Sequence, residues 1–114
     1  MREEVIEVII SYNDYLAKVP AGNIQIANYL REDKIGNALQ MILDFSEGMD
    51  WLIQAVELLG QNDVNVKFEA EKIHEFLHEV NTGLEIRDYV LVADMFEYEI
   101  SPFFEELHPI VGII

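Results

Sequence analysis

The longest regular pattern in the chain runs from Ile35 to Leu59, where Ile35, Ala38, Ile42, Phe45, Met49, Leu52, Val56 and Leu59 follow one another in alternating steps of three and four. A strip with that period is one face of an α-helix, and it is buried only when the helix lies against other helices. The strip therefore marks a core helix and excludes a sheet-based fold for the middle of the chain. It names no reaction and no ligand.

Three further strips have the same period. The first is Val5, Ile9, Tyr12, Leu16 and Val19. Its β-branched start could also be read as a strand, but the pattern continues for four turns with no partner strand in view. Pro20, Ala21 and Gly22 are expected to break this helix. Asn23 is then expected to cap a short extra helix, Ile24 to Arg31. Asp33 is placed to cap the long helix and Gly60 to close it in a left-handed conformation. A third helix is expected to begin near Asp63 to Val66, with Val66, Ala70, Ile73, Leu77, Val80 and Leu84 inward and Gly83 weakening its last turn. The chain turns about Arg87. Asp88 can cap a last helix with Tyr89, Ala93, Phe96, Ile100, Phe103, Leu107 and Ile110 as its seam. Pro102 inside it predicts a kink, or a restart capped by Ser101, and Pro109 and Gly112 are expected to end it. Short connections between amphipathic helices imply an all-α fold, an antiparallel up-and-down four-helix bundle with one extra short helix, in a single domain over residues 1–114.

Of the 114 residues 22 are acidic and 7 basic, a net charge of −15, which opposes contact with nucleic acid or an anionic membrane surface. The absence of cysteine excludes disulfides, thiolate nucleophiles and cysteine-ligated zinc. The first residues lack a basic leader and a small-residue cleavage site, and Glu3, Glu4, Glu7 and Asp14 interrupt their apolar positions. A cytoplasmic protein is expected.

His74-Glu75-Phe76-Leu77-His78 matches the H-E-x-x-H string of zinc metalloproteases, in which histidines four apart hold the metal and the glutamate activates its water. Here Ile73 and Leu77 set the inward direction, so His74 falls at the core edge, His78 outside and Glu75 nearly opposite the core. Glu71 with His74, Glu75 with His78 and Glu105 with His108 repeat the Glu-x-x-His spacing of di-iron bundles. Those sites need carboxylates in the bundle centre, where these seams are apolar, and a hairpin about Arg87 would part the histidines by about 12 Å. There is no nucleophile elbow, phosphate-cradling loop or dinucleotide fingerprint. Neither an enzyme nor a cofactor is expected, and metal binding by His74 and His78 stands as the alternative reading.

Two apolar stripes lie off the seams. One comprises Met41, Gly48, Trp51, Ala55 and Leu58; the other is Leu91, Met95 and Tyr98, with Pro102 beyond. Either these helices occupy more central places, with the short helix covering a stripe, or the stripes bind another protein or a second copy of the chain. Met41, Trp51, Leu58, Leu91, Met95 and Tyr98 are accordingly the candidate partner-binding residues.

The strings Glu47-Gly48-Met49-Asp50-Trp51-Leu52 and Asp88-Tyr89-Val90-Leu91-Val92-Ala93-Asp94-Met95-Phe96-Glu97-Tyr98-Glu99, followed by Pro102, resemble a group of small acidic helical proteins of unknown function from Firmicutes. The resemblance covers about the last two thirds of the chain and implies a helical fold without an activity. In size and acidity the chain is also similar to four-helix flagellar export chaperones, an architectural likeness only. The expected function is a non-enzymatic protein-binding module: an adaptor, a chaperone-like factor or a self-associating bundle.

Overall fold

The computed structural model describes residues 2–111, and over these the chain is an all-α four-helix bundle. Helix α1 spans Glu3–Arg31, α2 Ile35–Gln61 and α3 Ala70–Glu85. The last helix, α4, is continuous over residues 89–105 but of mixed winding. It is α-helical at Tyr89–Met95, π-helical at Phe96–Ile100 and α-helical again at Ser101–Glu105.

The extra short helix is not separate, because α1 runs straight through Pro20 and Gly22. The reason is visible in its buried residues: Val5, Ile9, Tyr12, Leu16, Val19, Asn23, Ile26 and Leu30 keep the three-four period across the expected break. Burying that second half outweighs the cost of an internal proline, about 3 kcal/mol. Asn23 is thus a buried mid-helix residue and caps nothing. At 29 residues and about 1.5 Å per residue, α1 covers most of the 47 Å long axis of the molecule.

Cross-helix contacts fix the directions. Arg2 at the start of α1 donates to Asn62 beyond the end of α2, and Tyr15 stacks edge-on against Trp51, so α1 and α2 are antiparallel. Arg31 meets Asp94 and Glu97, while Asn13 meets Ile110, so α4 also runs against α1. Phe76 packs on Phe103 and Gly83 on Val92, which sets α3 against α4. A Cβ at Gly83 would lie 2.6 Å from Val92 Cγ2, so glycine there permits a close α3–α4 approach. The up-and-down order follows. Phe45, Phe96 and Phe104 meet edge-to-face in the centre, with Tyr12, Met49, Leu52, Ile73 and Ile100 around them.

The turns differ from expectation in detail. Asp33, Asp63 and Arg87, one in each interhelical turn, take left-handed backbone conformations with φ of 60°, 64° and 57°. Asp33 therefore does not cap α2. Gly60 lies inside α2, whose end is closed by the Val64 N–H donating to the Leu59 carbonyl. Val64 then enters a small apolar cluster with Val5, Ile9 and Leu59, residues 64–69 are irregular, and α3 begins only at Ala70. In α3 it is Phe76 that is buried, with Leu77 only half-buried beside it. Asp88 does cap α4, accepting from the Leu91 N–H at 3.1 Å.

Pro102 does not restart α4 at a Ser101 cap, since the helix is continuous through Ser101. A proline has no N–H to give the Tyr98 carbonyl, and the chain answers with a wider turn in which the Ser101 N–H donates to Phe96. The helix stops at Glu105, short of Leu107 and Ile110, which still pack on the core as irregular chain. Asn13 secures that segment, its Nδ2 donating to the Ile110 carbonyl (3.0 Å) and its Oδ1 accepting from the Ile110 N–H (2.8 Å). Gly112, expected to help end this helix, lies outside the described residues.

Candidate protein-binding surface

The two off-seam stripes meet different fates. On α2, the stripe turns toward α1. Ala55 is buried, and the Tyr15 side chain lies so close over Gly48 that a Cβ there would overlap its hydroxyl. Trp51 presents its ring to Tyr15 at 6.1 Å between centroids and 77° between planes. Burial, and then the nearby Asp44 carboxylate, push the Tyr15 phenol pKa up. Met41 is half-buried beside Phe45 in a cleft between α1 and α2. Trp51 and Leu58 each remain 37% exposed at the outer margin of this packing.

On α4 the stripe divides. Met95 is only 2% exposed and belongs to the core, so it offers no surface to a partner. Its neighbours Val92, Ala93 and Phe96 are buried as well, so the inward face of α4 is wider than the single seam read from spacing. Leu91 and Tyr98 stay outside at 44% and 67% exposure. Leu91, with Met95 beneath it, lines a shallow groove between α3 and α4 of about 310 Å³, bordered by His78, Glu79, Thr82 and Glu99.

The neighbouring Tyr98 hydroxyl, and then Arg31, keep the Glu97 carboxyl below the usual glutamate range, and Glu97 raises the Tyr98 phenol. Arg31 in turn grips Glu97 through Nη1 at 2.6 Å and Asp94 through Nη2 at 2.8 Å. These ion pairs join α4 to α1 beside the exposed Tyr98 ring.

Sequence reasoning missed Ile86 and Val90, exposed at the α3–α4 turn next to Leu91, and Leu39 and Leu43, exposed on α2. Leu39 and Leu43 are four apart and off the seam, so the test that found Trp51 applies to them equally. Ile86 and Val90 flank a turn, where helical period carries no signal.

His74 and His78 are both exposed, and among the described residues no three His, Cys, Asp or Glu side chains converge as a metal site would require. Nor is any described helix long and apolar enough to cross a membrane.

These features define a helical bundle whose distinctive residues are surface aromatics and aliphatics. The chain belongs to a family described as a domain of unknown function (DUF8042), which it matches over residues 7–110. No curated protein and no solved structure gives a significant match. The kinship expected with a family of unknown function holds at that level.

Proposed function

We propose that the chain is a non-enzymatic protein-binding module, acting as an adaptor, a chaperone-like factor or a self-associating bundle, through the outer face of α4 and the adjoining α3–α4 turn. One observation carries the reading: Tyr98 stays 67% exposed on α4, next to Glu97, which Arg31 of α1 holds in an ion pair. A tyrosine ring has few torsions to immobilise on binding, which favours it as a contact residue. Leu91, Val90 and Ile86 supply apolar area beside it. The net charge of −15 selects against acidic partners and nucleic acid. That acidity and the resemblance to Firmicutes proteins support a bacterial, cytoplasmic setting.

The test compares wild type with Tyr98→Ala and Leu91→Asp by affinity capture from the source cell and by light scattering of the purified protein. Loss of a captured partner or of self-association in both variants, with helical content retained, supports the surface. Equal behaviour of all three proteins would remove it.

A further inference from the structure

The chemistry of the α3–α4 face narrows what would bind there. Apolar side chains gather at its turn end, where Ile86, Val90 and Leu91 are 65%, 69% and 44% exposed. Beside them lies the groove of about 310 Å³ between α3 and α4, with Leu91 over Met95 as its floor. Glu79 on α3 and Glu99 on α4 line the same groove, and both are exposed. Glu99 follows Leu91 by two helical turns, a separation of roughly 12 Å.

These two carboxylates differ from their neighbours. Arg31 answers Asp94 and Glu97 elsewhere on α4, and Lys72 answers Glu75 one turn before Glu79. Among the described residues no ion pair forms at Glu79 or Glu99. Such charges are easily borne while water reaches them. A wholly apolar occupant would strip that water and leave both carboxylates uncompensated, whereas an occupant with cations at that level would answer them.

We infer that the groove receives an amphipathic helix of a cationic partner protein. Its apolar residues sit on Ile86, Val90 and Leu91, and a lysine or arginine about two turns along is set against Glu79 and Glu99. The inference rests on the α4 face being a binding surface, and it names the partner's chemistry. A helix fits the spacing, because side chains two turns apart on one face recur at about the step from Leu91 to Glu99. The stem of a lysine or arginine also covers apolar surface while its head reaches a carboxylate. A second copy of this chain suits the groove less, for it brings 22 acidic residues against 7 basic. Of those basic residues Arg31 and Lys72 are already paired.

The probe is a labelled helical peptide of leucine, lysine and alanine with its leucines on one face, beside a twin carrying glutamine at every lysine position. Affinity is read by fluorescence anisotropy, and the site by amide shifts of ¹⁵N-labelled protein. The lysine peptide should shift Thr82, Leu91 and Glu99 saturably, and the glutamine twin should bind wild type at least about tenfold more weakly. Glu79→Gln combined with Glu99→Gln should weaken the lysine peptide by about tenfold. Glu4→Gln with Glu7→Gln, an equal change of charge at the start of α1, should weaken it by less than about threefold. Equal affinity for the two peptides, or equal losses in the two double variants, would overturn the inference. Leu91→Asn, which removes the apolar floor without adding charge, separates this failure from that of the face itself. If it abolishes binding while the Glu79 and Glu99 pair has no effect, the face stands and the cationic occupant falls. If neither changes binding and the shifts lie elsewhere, both fall. Both glutamates are exposed, so helical content should be unchanged, and the comparison of the two peptides needs no variant at all.

Discussion

The off-seam stripes of α2 and α4 look alike as sequence, each an aromatic and a methionine among aliphatics, yet one is mostly packing and the other mostly surface. The α2 stripe faces the spine helix, and Gly48 lets the Tyr15 ring settle where any side chain would stand. The α4 stripe has no helix over it, and only Met95 turns into the core while Leu91 and Tyr98 stay outside. An apolar residue off the main seam is therefore not yet an interface. What decides is whether a neighbouring element carries a residue shaped to cover it.

That contrast can be broken by substitution. The largest effect is expected from Phe45→Ala, which removes the ring that meets both Phe96 and Phe104; urea unfolding should show a loss of about 3–5 kcal/mol, and a much smaller loss would mean the central aromatic cluster is not formed. Gly48→Ala should cost about 1–3 kcal/mol, since the Tyr15 ring must swing away from the new methyl. The same movement should alter Trp51 fluorescence, and an unchanged spectrum at unchanged stability would place Tyr15 elsewhere. Trp51→Ala should destabilise by about 1–2 kcal/mol through loss of its edge contact and partial burial.

Tyr98→Ala should by contrast stay within about 0.5 kcal/mol of wild type in unfolding while losing partner capture or self-association. If Tyr98→Ala unfolds the protein and Trp51→Ala does not, the two stripes have been assigned the wrong way round. The smallest effect concerns pH. The Glu97 carboxyl is held low in the folded protein, so its contribution is present above the ordinary glutamate range and lost as pH falls through the folded value. Glu97→Gln should accordingly differ from wild type in urea unfolding at neutral pH and converge with it in acid; a difference that persists in acid would mean that Glu97 acts by packing rather than by charge.

Much of the fold was legible because burial imposes a period on sequence. All eight residues of the α2 strip read from spacing, Ile35 through Leu59, lie in or against the core, Ile35 and Val56 only half-buried. Breaks were less legible, since the signals of Pro20 and Gly22 are local while the seam through Asn23, Ile26 and Leu30 is stabilised by α2 and α4 across it. Residue type misled again at Asp63 to Phe68, where the burial of Val64, a tertiary contact, keeps the chain out of the helix. Of the residues singled out for binding, Trp51, Leu58, Leu91 and Tyr98 remain exposed, Met41 lines a cleft and Met95 is core.

The sequence by itself determined four amphipathic strips, and hence an all-α bundle, because the hydrophobic effect acts on a period that chemistry writes directly into the chain. Only the tertiary structure decided that α1 passes unbroken through its proline and that α4 absorbs its own by widening a turn. Only it decided which stripe Tyr15 covers, and that Asn23 is buried with an unanswered donor. Those outcomes depend on what lies on the far side of each residue, and neighbours distant in sequence leave no period to read.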